Sequence, residues 1–314
     1  MKKLIPFLGL AFLFLPVPAW GVSISINQFV EHPSLDISVR GFKEALADEG
    51  FADATFNTHI AQANMPTVLQ IVNQIQGEKP DLVLAVATPS AQATVQKIKN
   101  IPILFTAVTD PLSAGLVDSM ERPGHNVTGT TDMSPVAAQV ALIREIHPQA
   151  TRMGVIYNAG EANSVAVVGL LKAAAAKHGF ELKEAVTVNT AGVFQAAKSL
   201  VGGVEVVYLP TDNTVISSMD SVIKICVENK IPLYPGEADS VRKGGVASLA
   251  INYHELGRQT GLQAARILRG EAKPADMPVE AQKDTSLVIN LPVAESMGVT
   301  FPQSVLDRAQ EIIK

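Results

Sequence analysis

The chain has 314 residues, a formal net charge of −5, and 47% hydrophobic but only 5% aromatic residues. It lacks a basic stripe that could neutralise phosphates, which argues against a nucleic-acid partner, and its single cysteine, Cys226, excludes an intrachain disulfide. A core built mainly from Ala, Val, Ile and Leu suits helices packed on parallel strands.

Taken in chain order, the first segment reads as an export signal. Lys2 and Lys3 precede the apolar run Leu4–Leu15, and Val17 and Ala19 offer the small side chains that a signal peptidase reads. The run is too short to span a bilayer. Residues 1–19 are therefore expected to be a signal peptide, with a soluble, exported mature chain starting near Trp20. No cysteine follows the run, so a lipid anchor is not expected, nor is a transmembrane segment further on.

Short apolar strands then alternate with helical patterns. Strands are expected at 22–27, 55–60, 81–87 and 101–107, and helices at 35–49, 65–76 and 89–99. After punctuation by Gly124, Gly129 and Pro135 the rhythm restarts. Strands follow at 152–157, 181–188, 205–209, 231–234 and 245–250, with helices at 162–178, 193–200, 215–229 and 256–268. Two such βαβ series predict an α/β protein of two doubly wound parallel-sheet lobes. Lobe 1 is expected to hold residues 20–130 plus about 251–290, and lobe 2 residues 131–250. Residues 291–314 are expected as a tail packing across both.

Ligands of open α/β sheets sit beyond the carboxyl ends of the strands. Those ends carry Gln28, Phe29, Thr88, Ser90, Thr109, Asp110 and Asn158 in the first part of the chain, and Thr211-Asp212-Asn213, Glu237, Asp239 and Tyr253 in the second. All four tyrosines (Tyr157, Tyr208, Tyr234 and Tyr253) fall at or beside strand ends, which suits either a stacking ligand or simple packing. Ser90 opens a helix and could hold an anion or merely cap it. Asp110, Asp212, Glu237 and Asp239 each follow an apolar strand, where a carboxylate needs a partner such as an ammonium group. Asp110 before Pro111 equally fits an Asx-turn, and Asp212 equally fits an N-cap. The six histidines show no metal-ligand spacing, and the P-loop, GxGxxG, GxSxG and HExxH patterns are absent. No metal or cofactor is expected. Cys226, at helical spacing with Val222 and Ile223, reads as a buried thiol.

The segment Ile26-Asn27-Gln28-Phe29-Val30-Glu31-His32-Pro33-Ser34-Leu35-Asp36 resembles the opening of ABC-transporter substrate-binding proteins of the tryptophan/tyrosine-uptake type. Thr109-Asp110-Pro111, Ala114–Val117, Pro123–Gly129, Leu256–Gly261 and Val288–Leu291 are similar to further markers of that family, with His125 where Gly is commoner. The resemblance spans essentially the whole mature chain. It implies the type I periplasmic-binding-protein fold, with three crossovers between lobes that close on a small ligand. It also implies no catalysis, an amino acid as ligand, a monomer free in the periplasm, and an ABC permease with its ATPase as partners. By the same resemblance Gln28 and Phe29 would line the first-lobe wall, with Thr109 and Asp110 bordering it near the hinge. Thr88 and Ser90 would bind a carboxylate, and Asn158, Asn163 and Ser164 would form the opposing face. Asp212, or Glu237 with Asp239, would take the ammonium. A sensor feeding a receptor kinase or chemoreceptor, the same fold holding a nucleoside, and an exported enzyme using Asp212 with Asp239 are the competing readings.

Overall fold

The computed structural model describes residues 21–314, so the expected signal peptide lies outside the described residues. The first lobe starts with β1 (Ser23–Gln28), α1 (Pro33–Leu46), β2 (Thr55–Ile60) and α2 (Met65–Glu78). It continues through β3 (Leu82–Val86), α3 (Thr88–Lys97), β4 (Ile103–Val108) and β5 (Val127–Thr131). β3 and β4 are buried at every residue, as strands covered on both faces must be.

The chain then enters the second lobe through α4 (Val136–Ile146), β6 (Arg152–Asn158), α5 (Ala162–Lys177), β7 (Glu181–Thr187), α6 (Val193–Leu200) and β8 (Val206–Leu209). Next come α7 (Asn213–Ser217), α8 (Met219–Glu228), β9 (Leu233–Pro235), α9 (Ala238–Lys243) and β10 (Ala247–Ala250). The helix expected over 215–229 is broken at Ser218 into α7 and α8. Helix α4 was not anticipated, because Pro135 and the preceding glycine-rich stretch read as a join.

Helix α10 (Tyr253–Leu268) returns to the first lobe, and β11 (Glu280–Ala281) completes its sheet. That sheet is parallel throughout, in the order β11-β5-β4-β3-β1-β2. The second lobe carries a parallel sheet in the order β7-β6-β8-β9. The remaining elements are β12 (Ser286–Asn290), α11 (Leu291–Ser296), α12 (Gln303–Leu306) and β13 (Glu311–Ile313).

These last elements correct the expected boundaries. β12 pairs antiparallel with β10 and parallel with β13, so residues 286–290 belong with the second lobe, not the first. Ala294, Met297, Val299, Phe301 and Val305 of the tail join the second lobe's core and do not bridge the two. The chain thus passes between lobes three times, after β5, after β10 and after β11.

Three features of this framework position the site. α1 and α10 pack backbone to backbone: a Cβ on Gly41 would lie 2.2 Å from the His254 carbonyl oxygen, and one on Gly257 would lie 1.8 Å from that of Ser38. Ala87 and Ala107 hold positive φ of 74° and 55° at the ends of β3 and β4. Such strain in a non-glycine residue persists only where surrounding structure enforces it. On the far side of the cleft, Asp212 caps α7 by accepting from the Val215 N–H. Among the described residues no helix is long and apolar enough to cross a membrane.

Candidate functional site

A cavity lies between the lobes at the carboxyl ends of the strands. From the first lobe and the crossover it is lined by His32, Leu35, Ala107, Thr109, Asp132 and Tyr253. From the second it is lined by Asn163, Thr211, Asp212, Asn213, Ile216 and Glu237. The walls are close together, leaving about 10 Å³ for the centre of a water-sized sphere, roughly what one water needs. Side-chain contacts bridge the lobes directly: the Ser34 hydroxyl donates to Glu237, and Thr109 and Thr211 hydroxyls lie 3.3 Å apart.

Three buried carboxylates, Asp132, Asp212 and Glu237, line this space, a fourth, Glu161, lies beside Asp212, and no Lys or Arg lines it. Asp132 accepts from the Thr109 hydroxyl at 2.7 Å and the Tyr253 hydroxyl at 2.6 Å. Burial raises its pKa, while those hydrogen bonds hold it back. Glu237 accepts from Ser34 and Ser240, and burial, with Asp239 and Asp132 nearby, pushes it to about 8.

Asp212 is pushed to about 7 by burial and by the neighbouring Glu161 charge. Its oxygens are occupied by the backbone N–H of Asn158 at 2.6 Å, the Ser164 hydroxyl at 2.6 Å and the Val215 N–H at 2.8 Å. Glu161 is similarly filled, accepting from Asn163, from the backbone and side chain of Asn213, and from the backbone and hydroxyl of Thr214. Asp212 and Glu161 therefore brace the second-lobe wall. Asp132, apart from its own backbone N–H, and Glu237 take their hydrogen bonds from hydroxyls, and the two carboxyl groups line the same cavity and feel each other's charge. A buried anion with no cationic partner is costly, and an incoming cation relieves that cost.

Of the residues expected at the site, Thr109, Asn163, Asp212, Glu237 and Tyr253 line the cavity. Asn158 and Ser164 stand one layer behind, orienting Asp212. Others are spent elsewhere. Gln28 donates to Val30 and Asp36, and Phe29 is buried in the first-lobe core. Ser90 donates to Asn27 at 3.3 Å, while the Thr88 hydroxyl is buried without a partner. Asp110 forms the Asx-turn, accepting from Ser113 N–H at 3.1 Å. Asp239 pairs with Arg242 at 2.6 Å and is not among the residues that line the cavity.

Three of the four tyrosines prove structural. Tyr157 donates to Glu184 and Tyr208 to Gln139, and Tyr234 meets His147 at 2.6 Å. High strand propensity accounts for their positions. Cys226 is buried and its thiol is pushed up to about 12, as a structural thiol requires. Sequence reasoning missed His32, Asp132 and Glu161, while Thr211 and Asn213, which flank Asp212 at its strand end, line the cavity as well. His32 precedes Pro33 in the segment that carried the family resemblance, and Asp132 follows a strand that read as a turn; both signals were present.

A model of the ABC transporter substrate binding protein family matches residues 23–313. A tyrosine-binding protein of Clostridioides difficile is 42% identical over 271 residues, 85% of this chain and 78% of its own length. Among solved structures, a Streptococcus pneumoniae ABC domain in complex with L-Trp is 34% identical and superposes with a TM-score of 0.90 over 93% of this chain and all of its own. The ligand-free, open structure of a substrate-binding protein with adhesive properties from Clostridium difficile is 41% identical, with a TM-score of 0.68 over 93% of this chain and 99% of its own. With two doubly wound lobes, three crossovers and this match along nearly its whole described length, the chain belongs to the ABC transporter substrate-binding proteins, in the type I periplasmic-binding-protein fold.

Proposed function

We propose that the protein is the periplasmic component of an ABC importer that captures a free aromatic amino acid, tyrosine or tryptophan, between its lobes. The observation that carries this reading is the pair of buried carboxylates, Asp132 and Glu237, in an inter-lobe cavity without a lysine or arginine. An α-ammonium group brings the charge they lack, with Thr109, Thr211 and Tyr253 supplying hydroxyl oxygens around it. The named ligands of the two relatives, tyrosine and L-Trp, support the same class.

Delivery, not chemistry, is the proposed outcome: the closed protein docks on a permease whose ATPase drives release. Export by the N-terminal signal would place it in the periplasm. Calorimetric titration of the purified mature protein with the twenty amino acids tests the ligand. Tyrosine or tryptophan should bind tightly. If only a sugar, a nucleoside or a metal bound, the amino-acid reading would fall and the family assignment would stand.

A further inference from the structure

Two residues that line the cavity each carry a buried polar atom with no partner among the described residues: Nδ1 of His32 in the first lobe and Oδ1 of Asn163 in the second. Both side chains are more than nine-tenths buried, at 8% and 2% exposure. An unmatched polar atom in such a place is rare unless something else meets it.

Their surroundings define both as acceptors. The Asn163 amide NH₂ is used on Glu161 at 3.0 Å and on the Thr211 carbonyl at 2.7 Å, which leaves its oxygen toward the cavity. The Asn213 amide NH₂ is likewise used on Glu161, so its carbonyl is left for the His32 imidazole. Burial keeps that imidazole neutral, with a pKa lowered to about 4. A neutral imidazole has one N–H and one bare acceptor nitrogen, and a proton on Nε2 makes the unpartnered Nδ1 that acceptor.

The donors of an amino-acid ligand are few. Its carboxylate only accepts, and the three N–H donors of its ammonium are met by the carboxyl groups of Asp132 and Glu237 and the hydroxyl oxygens of Thr109, Thr211 and Tyr253 beside them. A donor that reaches His32 and Asn163 must therefore come from the ligand's side chain. Resting on the amino-acid reading above, we propose that His32, with Asn163 across the cleft, reads a hydrogen-bond donor on the ligand's side chain and thereby selects tyrosine or tryptophan over phenylalanine. Tyrosine offers a phenolic O–H and tryptophan an indole N–H, whereas phenylalanine leaves both acceptors buried and unmet.

The test is calorimetric titration of wild type, His32→Leu and His32→Asn with L-tyrosine, L-tryptophan and L-phenylalanine. Wild type should bind tyrosine or tryptophan about tenfold to a hundredfold more tightly than phenylalanine. His32→Leu should shrink that gap to about threefold or less. His32→Asn, whose amide oxygen can stand near the position of Nδ1, should restore much of it. Equal weakening toward all three ligands by His32→Leu would place His32 on the ligand's common part and overturn the proposal, as would an unchanged gap. Failure of wild type to bind any of the three would instead sink the amino-acid reading, and this proposal with it.

Discussion

Asp212 and Glu237 are both buried carboxylates on the second-lobe wall, yet their partners separate their roles. Asp212 satisfies two backbone N–H groups and a hydroxyl. Asp212→Ala should therefore cost roughly 1–3 kcal/mol of stability through the donors it strands, seen as a lower melting temperature. Glu237 meets only serine hydroxyls and feels the charge of Asp132. Glu237→Gln should weaken amino-acid binding by roughly 2–5 kcal/mol, the range for removing one partner of a buried charge pair, with titration calorimetry as the measurement.

The sign of the pH dependence follows from Glu237's raised pKa. The folded chain keeps this proton up to about pH 8, while the unfolded chain loses it near its ordinary value of 4.5. The stability that this group contributes is thus fully present in acid and falls as pH rises through that window. Glu237→Gln should flatten the fall in a series of melts across it. An ammonium ligand favours the ionised carboxylate, so affinity should climb toward pH 8 and binding near neutrality should release protons. Calorimetry in buffers of different ionisation enthalpy reads that release, and its absence would move the ammonium to another partner.

At the scale of elements, the α1–α10 pair shows why the Leu256–Gly261 segment is spaced as it is. Gly257 abuts the Ser38 carbonyl, and Gly261 abuts the backbone of Phe42 and the Ala45 methyl, so the two helices meet with almost no side chain between them. This close approach draws α10 onto the first lobe although it follows β10 of the second, and it brings Tyr253, the first residue of α10, to Asp132 at 2.6 Å. Gly257→Ala places a methyl group against rigid backbone and should cost about 1–3 kcal/mol or more, lowering the melting point by roughly 3–10 °C. Because the shift would displace Tyr253, ligand affinity should drop as well. A Gly257→Ala protein that melts and binds like wild type would show that the helices separate easily.

At the scale of the molecule, the lobes stand close together, with Ser34 bonded to Glu237 and almost no free volume between the walls. The structure superposes far better on the complex with L-Trp than on the open, ligand-free relative, although the open one is more similar in sequence. Divergence therefore does not explain the difference; lobe arrangement does. A ligand can enter only if the lobes part, so an open form must be populated without ligand and a closed one selected by it. Small-angle scattering should show the radius of gyration shrinking on addition of tyrosine or tryptophan. A radius unchanged at saturation would mean a rigid, preformed pocket.

Local pattern alone carried the parallel βαβ series, the restart into a second lobe and the strand ends where the cavity lies, because burial of a strand or of one helix face leaves its period in the chain. Thr109, Asn163, Asp212, Glu237 and Tyr253 could be picked out for the same reason: each stands at or near a strand's carboxyl end. Tertiary structure decided how those polar groups were used. Asp212 is filled by Asn158, 54 residues away, and Glu237 by Ser34, 203 residues away. It also decided that β12 pairs with β10 in the second lobe, that Phe29 packs in the first-lobe core, and that three tyrosines bond to Glu184, Gln139 and His147. A hydrogen bond between distant residues leaves no periodic trace in either of them. Whether a buried carboxylate caps a helix or waits for a cation depends on which donors folding brings to it.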